Sequence, residues 1–232
     1  MDPVPRDIAV GEGVSVRVDG AEEPRLLVGH PSGAVAELGM KDGVGRWIDR
    51  FDTPGEHRVE VIDGDRVELL FSIFVGAPPP APEPLPGPVA PADPVADLPL
   101  LYDAVARLRA DAGLPPLARF PGYEPHARAH AACLAQAGVV AHATATCPGV
   151  PELARRTHHP QAKHTENVAA GASAAEAWER VLASPGHVLN LLCADCSHLS
   201  VGAVLEPGPD PRVFVVWELL SMPGGVPQPI GG

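Results

Sequence analysis

Thr165-Glu166-Asn167-Val168-Ala169-Ala170-Gly171 and Ser184-Pro185-Gly186-His187-Val188-Leu189-Asn190 are the two stretches on which the reading of this chain turns. They set a carboxylate and an imidazole at the ends of what reads as a short helical segment, with a second carboxylate, Glu176, between them and a second imidazole, His142, upstream. The apolar residues around them have a helical period. Leu101, Val105 and Leu108 share one face of a helix beginning at Leu100, which Gly113-Leu114-Pro115-Pro116 stops. A second helix is predicted over 124–137, with Ala127, Ala131 and Leu134 inward and Gly138 at its end. A third is expected over 173–183, and a fourth, capped by Ser184 with Pro185 in its first turn, through Leu192. The valine-rich runs 199–205 and 213–219, on either side of Pro207-Gly208-Pro209-Asp210-Pro211, read as a hairpin. Helices first and a hairpin last predict an α+β layer arrangement.

Upstream the pattern changes twice. Residues 77–99 hold ten prolines in twenty-three positions. Proline fixes φ and has no N–H to donate, so this stretch reads as an extended spacer at about 3.1 Å per residue. Before it the apolar residues alternate, as in Val14-x-Val16-x-Val18 and Val59-x-Val61, and Asp19-Gly20, Asp42-Gly43, Pro54-Gly55 and Asp63-Gly64 punctuate them. That pattern describes a small antiparallel β sandwich. Phe51-Asp52-Thr53-Pro54-Gly55 through Val61 resembles a strand entry of immunoglobulin-like domains in bacterial surface proteins. The expected organisation is a small β domain over 1–76, a proline-rich linker over 77–99 and an α+β domain over 100–232.

Composition narrows the partners. The 232 residues carry a formal charge of −12 with no long basic run, so phosphate backbones and anionic membrane surfaces repel the chain and nucleic acid is excluded as a partner. No apolar stretch is long enough to span a bilayer. All four cysteines, Cys133, Cys147, Cys193 and Cys196, lie in the second half, which suits disulfides in an oxidising compartment. Four cysteines allow three pairings; Cys133 with Cys147 and Cys193 with Cys196 is the favoured one. A zinc site on Cys193-x-x-Cys196 with His198 lacks a complete ligand set. The opening residues have no apolar leader core, and the cysteines point to an extracellular or cell-surface protein whose leader has been removed.

Eight of the ten histidines lie from His126 onward. His130 reads as a helix-packing imidazole, and His158, His159 and His164 as exposed residues of a polar loop beside Glu166. Leu108-Arg109-Ala110-Asp111-Ala112-Gly113-Leu114-Pro115-Pro116-Leu117, then Ala127-Arg128-Ala129-His130-Ala131, His142, Glu166-Asn167 and Ser184-Pro185-Gly186-His187 follow one another in the order of the bacterial branch of the CAP superfamily, which the chain resembles over about residues 100–220. This superfamily groups cysteine-rich secretory, antigen 5 and pathogenesis-related proteins, the SCP-like domains. Thr165 stands where relatives carry glycine, and Val181 where many carry tryptophan, with Trp178 one turn earlier.

The resemblance implies a three-layer α-β-α CAP sandwich whose cleft gathers two histidines and two glutamates, here His142, His187, Glu166 and Glu176. Neutral imidazoles suit Zn²⁺ or a similar divalent ion at about 2.0 to 2.1 Å, with the carboxylates completing the shell. Glu176 has a second reading, because Ser173-Ala174-Ala175-Glu176 is a capping box. The expected function is a secreted module that binds a divalent metal and a lipid or peptide ligand in this cleft. One alternative is a metal-dependent hydrolase with Glu166 or Glu176 as base; another is a structural surface protein without a metal.

Overall fold

The computed structural model describes residues 7–18, 24–38, 46–64, 66–79, 97–149 and 163–221. The chain divides into two compact units, one of residues 1–85 with 183–189 and one of residues 86–182 with 190–232. Asp19-Gly20, Asp42-Gly43, most of the proline-rich linker, His158 and His159 lie outside the described residues.

The first unit is built of β1 (Asp7–Ile8), β2 (Gly13–Arg17), β3 (Pro24–Gly29), β4 (Val35–Leu38), β5 (Arg46–Arg50), β6 (Gly55–Asp63) and β7 (Arg66–Val75). One sheet has the order β1-β7-β6-β3-β4, and β2 pairs with β5 in a second. Alternation does what the sequence pattern demands. Val14 and Val16 of β2 turn inward to join Val28, Val59, Val61 and Ile73 in one buried cluster, each side chain contributing about 1.5–3 kcal/mol by leaving water. The Asp63-Gly64 turn closes the β6–β7 hairpin with Gly64 at φ +58°, a conformation that glycine adopts without strain.

The second unit carries α1 (Leu98–Asp111), β8 (Ala118–Arg119), α2 (Glu124–Ala137), β9 (Lys163–Gly171), α3 (Ala174–Ala183), β10 (His198–Leu205) and β11 (Val213–Ser221). Another short helix, α4 (Pro185–Leu191), runs from the segment grouped with the first unit into the second. The sheet order is β8-β10-β11-β9, with β9, β11 and β10 antiparallel and β8 parallel to β10. Helices cover both faces. Leu101 and Val105 of α1 and Ala177 and Val181 of α3 pack with Val213, Val215, Trp217 and Leu219 on one side. Ala127, Ala131 and Leu134 of α2 pack with Phe214, Val216 and Val168 on the other. This mixed α+β, helix–sheet–helix layering explains why β11 reads as an almost unbroken apolar run: a strand covered on both faces has no solvent side to mark with polar residues.

Two details depart from the sequence reading. Helix α1 starts at Leu98 because Pro99 occupies its first turn, where a missing N–H costs nothing, so the last two expected linker residues are helical. More important, the Thr165–Gly171 stretch, to which the sequence reading gave no strand, is extended. Residues Lys163–Gly171 form β9, paired with β11 from Ser221↔Lys163 to Val213↔Gly171. Thr165, Asn167 and Ala169 point to one face and Glu166, Val168 and Ala170 to the other, the period-two pattern that a short, alanine-rich stretch disguised.

Close packing sets the position of α2. A Cβ on Gly202 of β10 would overlap the backbone of Ala127 and Arg128, so only glycine lets the helix lie this close to the strand. Gly138, at φ +68°, ends α2 in the left-handed cap expected of it. The Cys133–Cys147 and Cys193–Cys196 disulfides are both formed, in the favoured pairing. Arg109 is fully buried and donates to the carbonyls of Pro115, Leu191 and Cys193, so the arginine of the Leu108–Leu117 block fastens the end of α1 to the turn after it and to the end of α4.

Candidate functional site around Glu166

Strand alternation places a row of polar residues beneath α2. Ser200 of β10 lies opposite Glu218 of β11, and Glu218 lies opposite Glu166 of β9. Their neighbours Val168, Phe214 and Val216 belong to the apolar cluster under α2, which fixes the face on which the row stands. Glu166 and Glu218 are 4% and 0% exposed.

Two imidazoles close on Glu166. His142 Nδ1 is 2.9 Å from Glu166 Oε1 in a hydrogen bond. His130 Nε2, from the inner face of α2, is 3.2 Å from Glu166 Oε2, an ion-pair distance off the line of a hydrogen bond. His130 is buried, whereas the His142 side chain is 43% exposed. Burial pushes the Glu166 carboxyl upward, but the two imidazoles outweigh it and hold it below the usual carboxylate range. Glu218 is pushed the other way. Burial first, and then the neighbouring Glu166, raise its carboxyl well above the ordinary value.

The local sequence explains how His142 is held. It lies in the loop that the Cys133–Cys147 disulfide closes onto α2. Thr144 folds this loop on itself: its N–H donates to the Cys147 carbonyl, and its Oγ1 accepts the N–H groups of Thr146 and Cys147. A Cβ on Gly149 would come within 2.6 Å of the His142 carbonyl oxygen, so the chain passes tightly against it. From the other side Asn190 donates its amide to the Glu166 carbonyl at 3.2 Å and to Asn167 Oδ1 at 2.9 Å, anchoring the backbone of β9.

Of the four residues expected to converge, His142 and Glu166 meet. Glu176 is occupied elsewhere: Oε2 accepts the Ala172 N–H at 2.7 Å, Oε1 accepts Arg180 at 2.7 Å, and its own N–H donates to Ser173 Oγ. These bonds hold the Glu176 carboxyl low, the Ala172 amide more than Arg180. The capping reading describes it, with the donor supplied by Ala172 rather than Ser173. His187 lies in the first turn of α4, its N–H donating to Ser184 Oγ, in the segment that belongs with the first unit. The centre around Glu166 consists of second-unit residues.

His130 and Glu218 are the members that sequence reasoning missed. His130 passed as a packing residue because helical spacing gives no sign of what a buried imidazole faces. Glu218 had a legible signal, a lone acid inside the apolar run 213–219. His164, expected in an exposed loop, lies on β9 and stacks on Tyr123 at 5.6 Å between ring centroids. The Cys193 and Cys196 thiols are spent on each other.

Among the described residues no group of three or more His, Cys, Asp or Glu side chains is set to hold a metal ion. The chemistry of the donor set agrees. Each Glu166 oxygen already faces an imidazole nitrogen, Glu176 caps its own helix, and burial favours a protonated Glu218. The His142–Glu166 pair is the part of the expected set that the described contacts bring together. It fits a hydrogen-bonded centre in which a buried carboxylate orients a half-exposed imidazole.

No protein-family model matches the chain, and no curated protein matches it. Among solved structures, an outer surface protein of Borrelia burgdorferi is similar at 22% identity and a TM-score of 0.46, over 55% of this chain and 95% of that one. An extracellular protein containing an SCP domain from Bacillus anthracis is similar at 18% identity and a TM-score of 0.45, over 89% of this chain and 64% of that one, so this chain spans less than two thirds of its length. A cysteine-rich secretory protein of Staphylococcus aureus is similar at 14% identity and a TM-score of 0.42, over 90% of this chain and 77% of that one. By their descriptions the last two belong to the class that the sequence blocks resemble.

Proposed function

We propose that this chain is an extracellular, SCP-like binding module that recognises a peptide or lipid head group through His142, with the first unit serving as an immunoglobulin-like spacer. The observation that carries the reading is the 2.9 Å bond from His142 Nδ1 to the buried Glu166 carboxylate. A buried carboxylate at Nδ1 fixes the plane of the ring, which sets the orientation in which its half-exposed edge meets a polar head group or a peptide. Glu166 itself is too enclosed to serve as a base on a substrate, so the hydrolase alternative would have to rely on His142. Among the described residues no helix is long and apolar enough to cross a membrane.

The test is a titration of isotopically labelled full-length chain with a lysophospholipid below its micelle concentration and with peptides ending in a free carboxylate. Resonance shifts centred on His142 that vanish in His142→Ala are expected. Binding indifferent to that substitution, or none by any of these probes, overturns the reading.

A second reading has its own observation. A groove of about 630 Å³ in the second unit is lined by Val201, Ala203, Ala129 and Ala132, with the exposed Arg128 at its side and Arg119 paired there with Glu124. Its apolar lining beside Arg128 suits an amphiphile with an anionic head. Loss of lysophospholipid binding in Arg128→Glu, with His142→Ala silent, would select it.

A further inference from the structure

The Cys193–Cys196 disulfide has no part in the recognition just proposed, and its cysteines are 3 positions apart, against 14 for Cys133–Cys147. Hydrogen bonds hold its turn without help from the sulfurs. The Cys193 N–H donates to the Asn190 carbonyl at 3.1 Å, the Cys196 N–H to the Cys193 carbonyl at 3.4 Å, and the Ser197 N–H to the Leu220 carbonyl at 2.8 Å. Arg109 Nη1 donates to the same Cys193 carbonyl at 3.0 Å. Opening the bond therefore frees no loop. The two sulfurs also differ in access. Cys196 is 5% exposed within the apolar cluster of the second unit, whereas Cys193 packs against that cluster half-buried, and Ala194 and Asp195 between them are exposed. An incoming group meets Cys193 first. Arg109 adds a charge to this turn. It is fully buried, its Nε and Nη1 donate only to the carbonyls of Pro115, Leu191 and Cys193, its Nη2 has no hydrogen-bond partner, and no carboxylate of the described residues is paired with it. A cation held on the backbone of a cysteine favours the thiolate over the thiol.

We propose that Cys193–Cys196 is a thiol–disulfide exchange site whose substrate is a dithiol. A thiolate of the substrate attacks Cys193 Sγ; an S–S bond forms between them as the Cys193–Cys196 bond breaks, and the electron pair leaves on Cys196 Sγ. The substrate's second thiolate then attacks its own bound sulfur, the mixed bond breaks, and the pair leaves on Cys193 Sγ. The substrate ends as a disulfide, oxidised by two electrons, and Cys193 and Cys196 end as thiols carrying the two protons it gave up. Stabilising the open form is what makes such a pair oxidising, and the charge of Arg109 acts in that direction. Because the turn stands without the bond, the chain stays folded in both states and any disulfide in excess recloses it. Cys133–Cys147 lacks this freedom, since opening it releases the loop of 14 positions that it closes onto α2. The site is independent of the His142–Glu166 centre.

The experiment equilibrates the full chain with mixtures of reduced and oxidised dithiothreitol, alkylates the free thiols, and reads each cysteine pair by peptide mass spectrometry, with circular dichroism on the same samples. Cys193–Cys196 should be half open at a ratio of reduced to oxidised reagent at least about tenfold below the one that opens Cys133–Cys147, with the dichroism unchanged. In Cys196→Ser, oxidised glutathione should load Cys193 at least about ten times faster than it loads Cys196 in Cys193→Ser. Opening at the same ratio as Cys133–Cys147 or a higher one, opening accompanied by loss of the dichroism signal, or equal loading of the two cysteines overturns the proposal. Should either serine variant fail to fold, the wild-type comparison decides alone. None of these readouts involves His142, so failure of the binding reading is scored separately.

Discussion

Glu218 stands directly opposite Glu166 across β11 and β9, two acids in register within a sheet that helices cover on both faces. Their environments differ in what faces them, not in how deep they lie. Glu166 has two imidazoles, and Glu218 has Glu166. One fold therefore pushes two identical side chains in opposite directions.

That difference sets the pH dependence of stability. A carboxyl raised above its unfolded value of 4.5 contributes its stability below that value and loses it as pH climbs toward the folded value. Glu166, held low, does the reverse: its contribution is present above 4.5 and is lost as pH falls through its folded value. Urea melts should show wild-type stability declining as pH rises above the unfolded value of 4.5, with a flatter curve in Glu218→Gln. Parallel slopes in the two proteins would contradict the assignment.

The two disulfides should differ in their effect. With a separation of 14 residues, Cys133–Cys147 is worth about 3 kcal/mol by loop-closure entropy, whereas Cys193–Cys196, with a separation of 3, is worth about 1.6 kcal/mol. Replacing Cys133 and Cys147 by serine should also speed amide exchange across the loop that carries His142. Denaturant melts and hydrogen exchange on the paired serine variants check both expectations.

Glu176→Gln separates helix capping from a role in the centre. It should cost about 1 kcal/mol or less, because the acceptor to Ala172 is weakened and the Arg180 pair is partly exposed. The His142 titration should not move. A displaced midpoint in this variant would restore Glu176 to the site.

Gly202→Ala places a methyl group into the backbone of α2 at Ala127 and Arg128. The helix must rise from the sheet, at a cost of about 3 kcal/mol, and it carries His130 with it. A thermal melt, read beside the His130 resonance, should report both changes together.

Much of this was legible in the chain itself. The bounds of α2, its glycine cap and the β10–β11 hairpin followed from period and punctuation, which are local, and the cysteine pairing formed is the one favoured among three. His142 and Glu166 were expected in one metal shell, as the resemblance implies, and the structure gives a direct hydrogen bond between them. What stayed hidden was register. Strand β9 shows its alternation only once β11 lies beside it, and the meeting of Glu166 with Glu218 depends on which residue pairs with which across 52 positions of chain. Glu176 shows the converse: a motif readable as a cap within four residues was also assigned a distant role, and the local bonds describe where it lies.

The link between Cys133 and Cys147 makes the aim of the exposed imidazole a matter of redox surroundings. A reductant that opens this one bond would leave the layered core standing and yet unmoor the arm that presents His142. Reducing conditions would thus blunt recognition without unfolding the molecule.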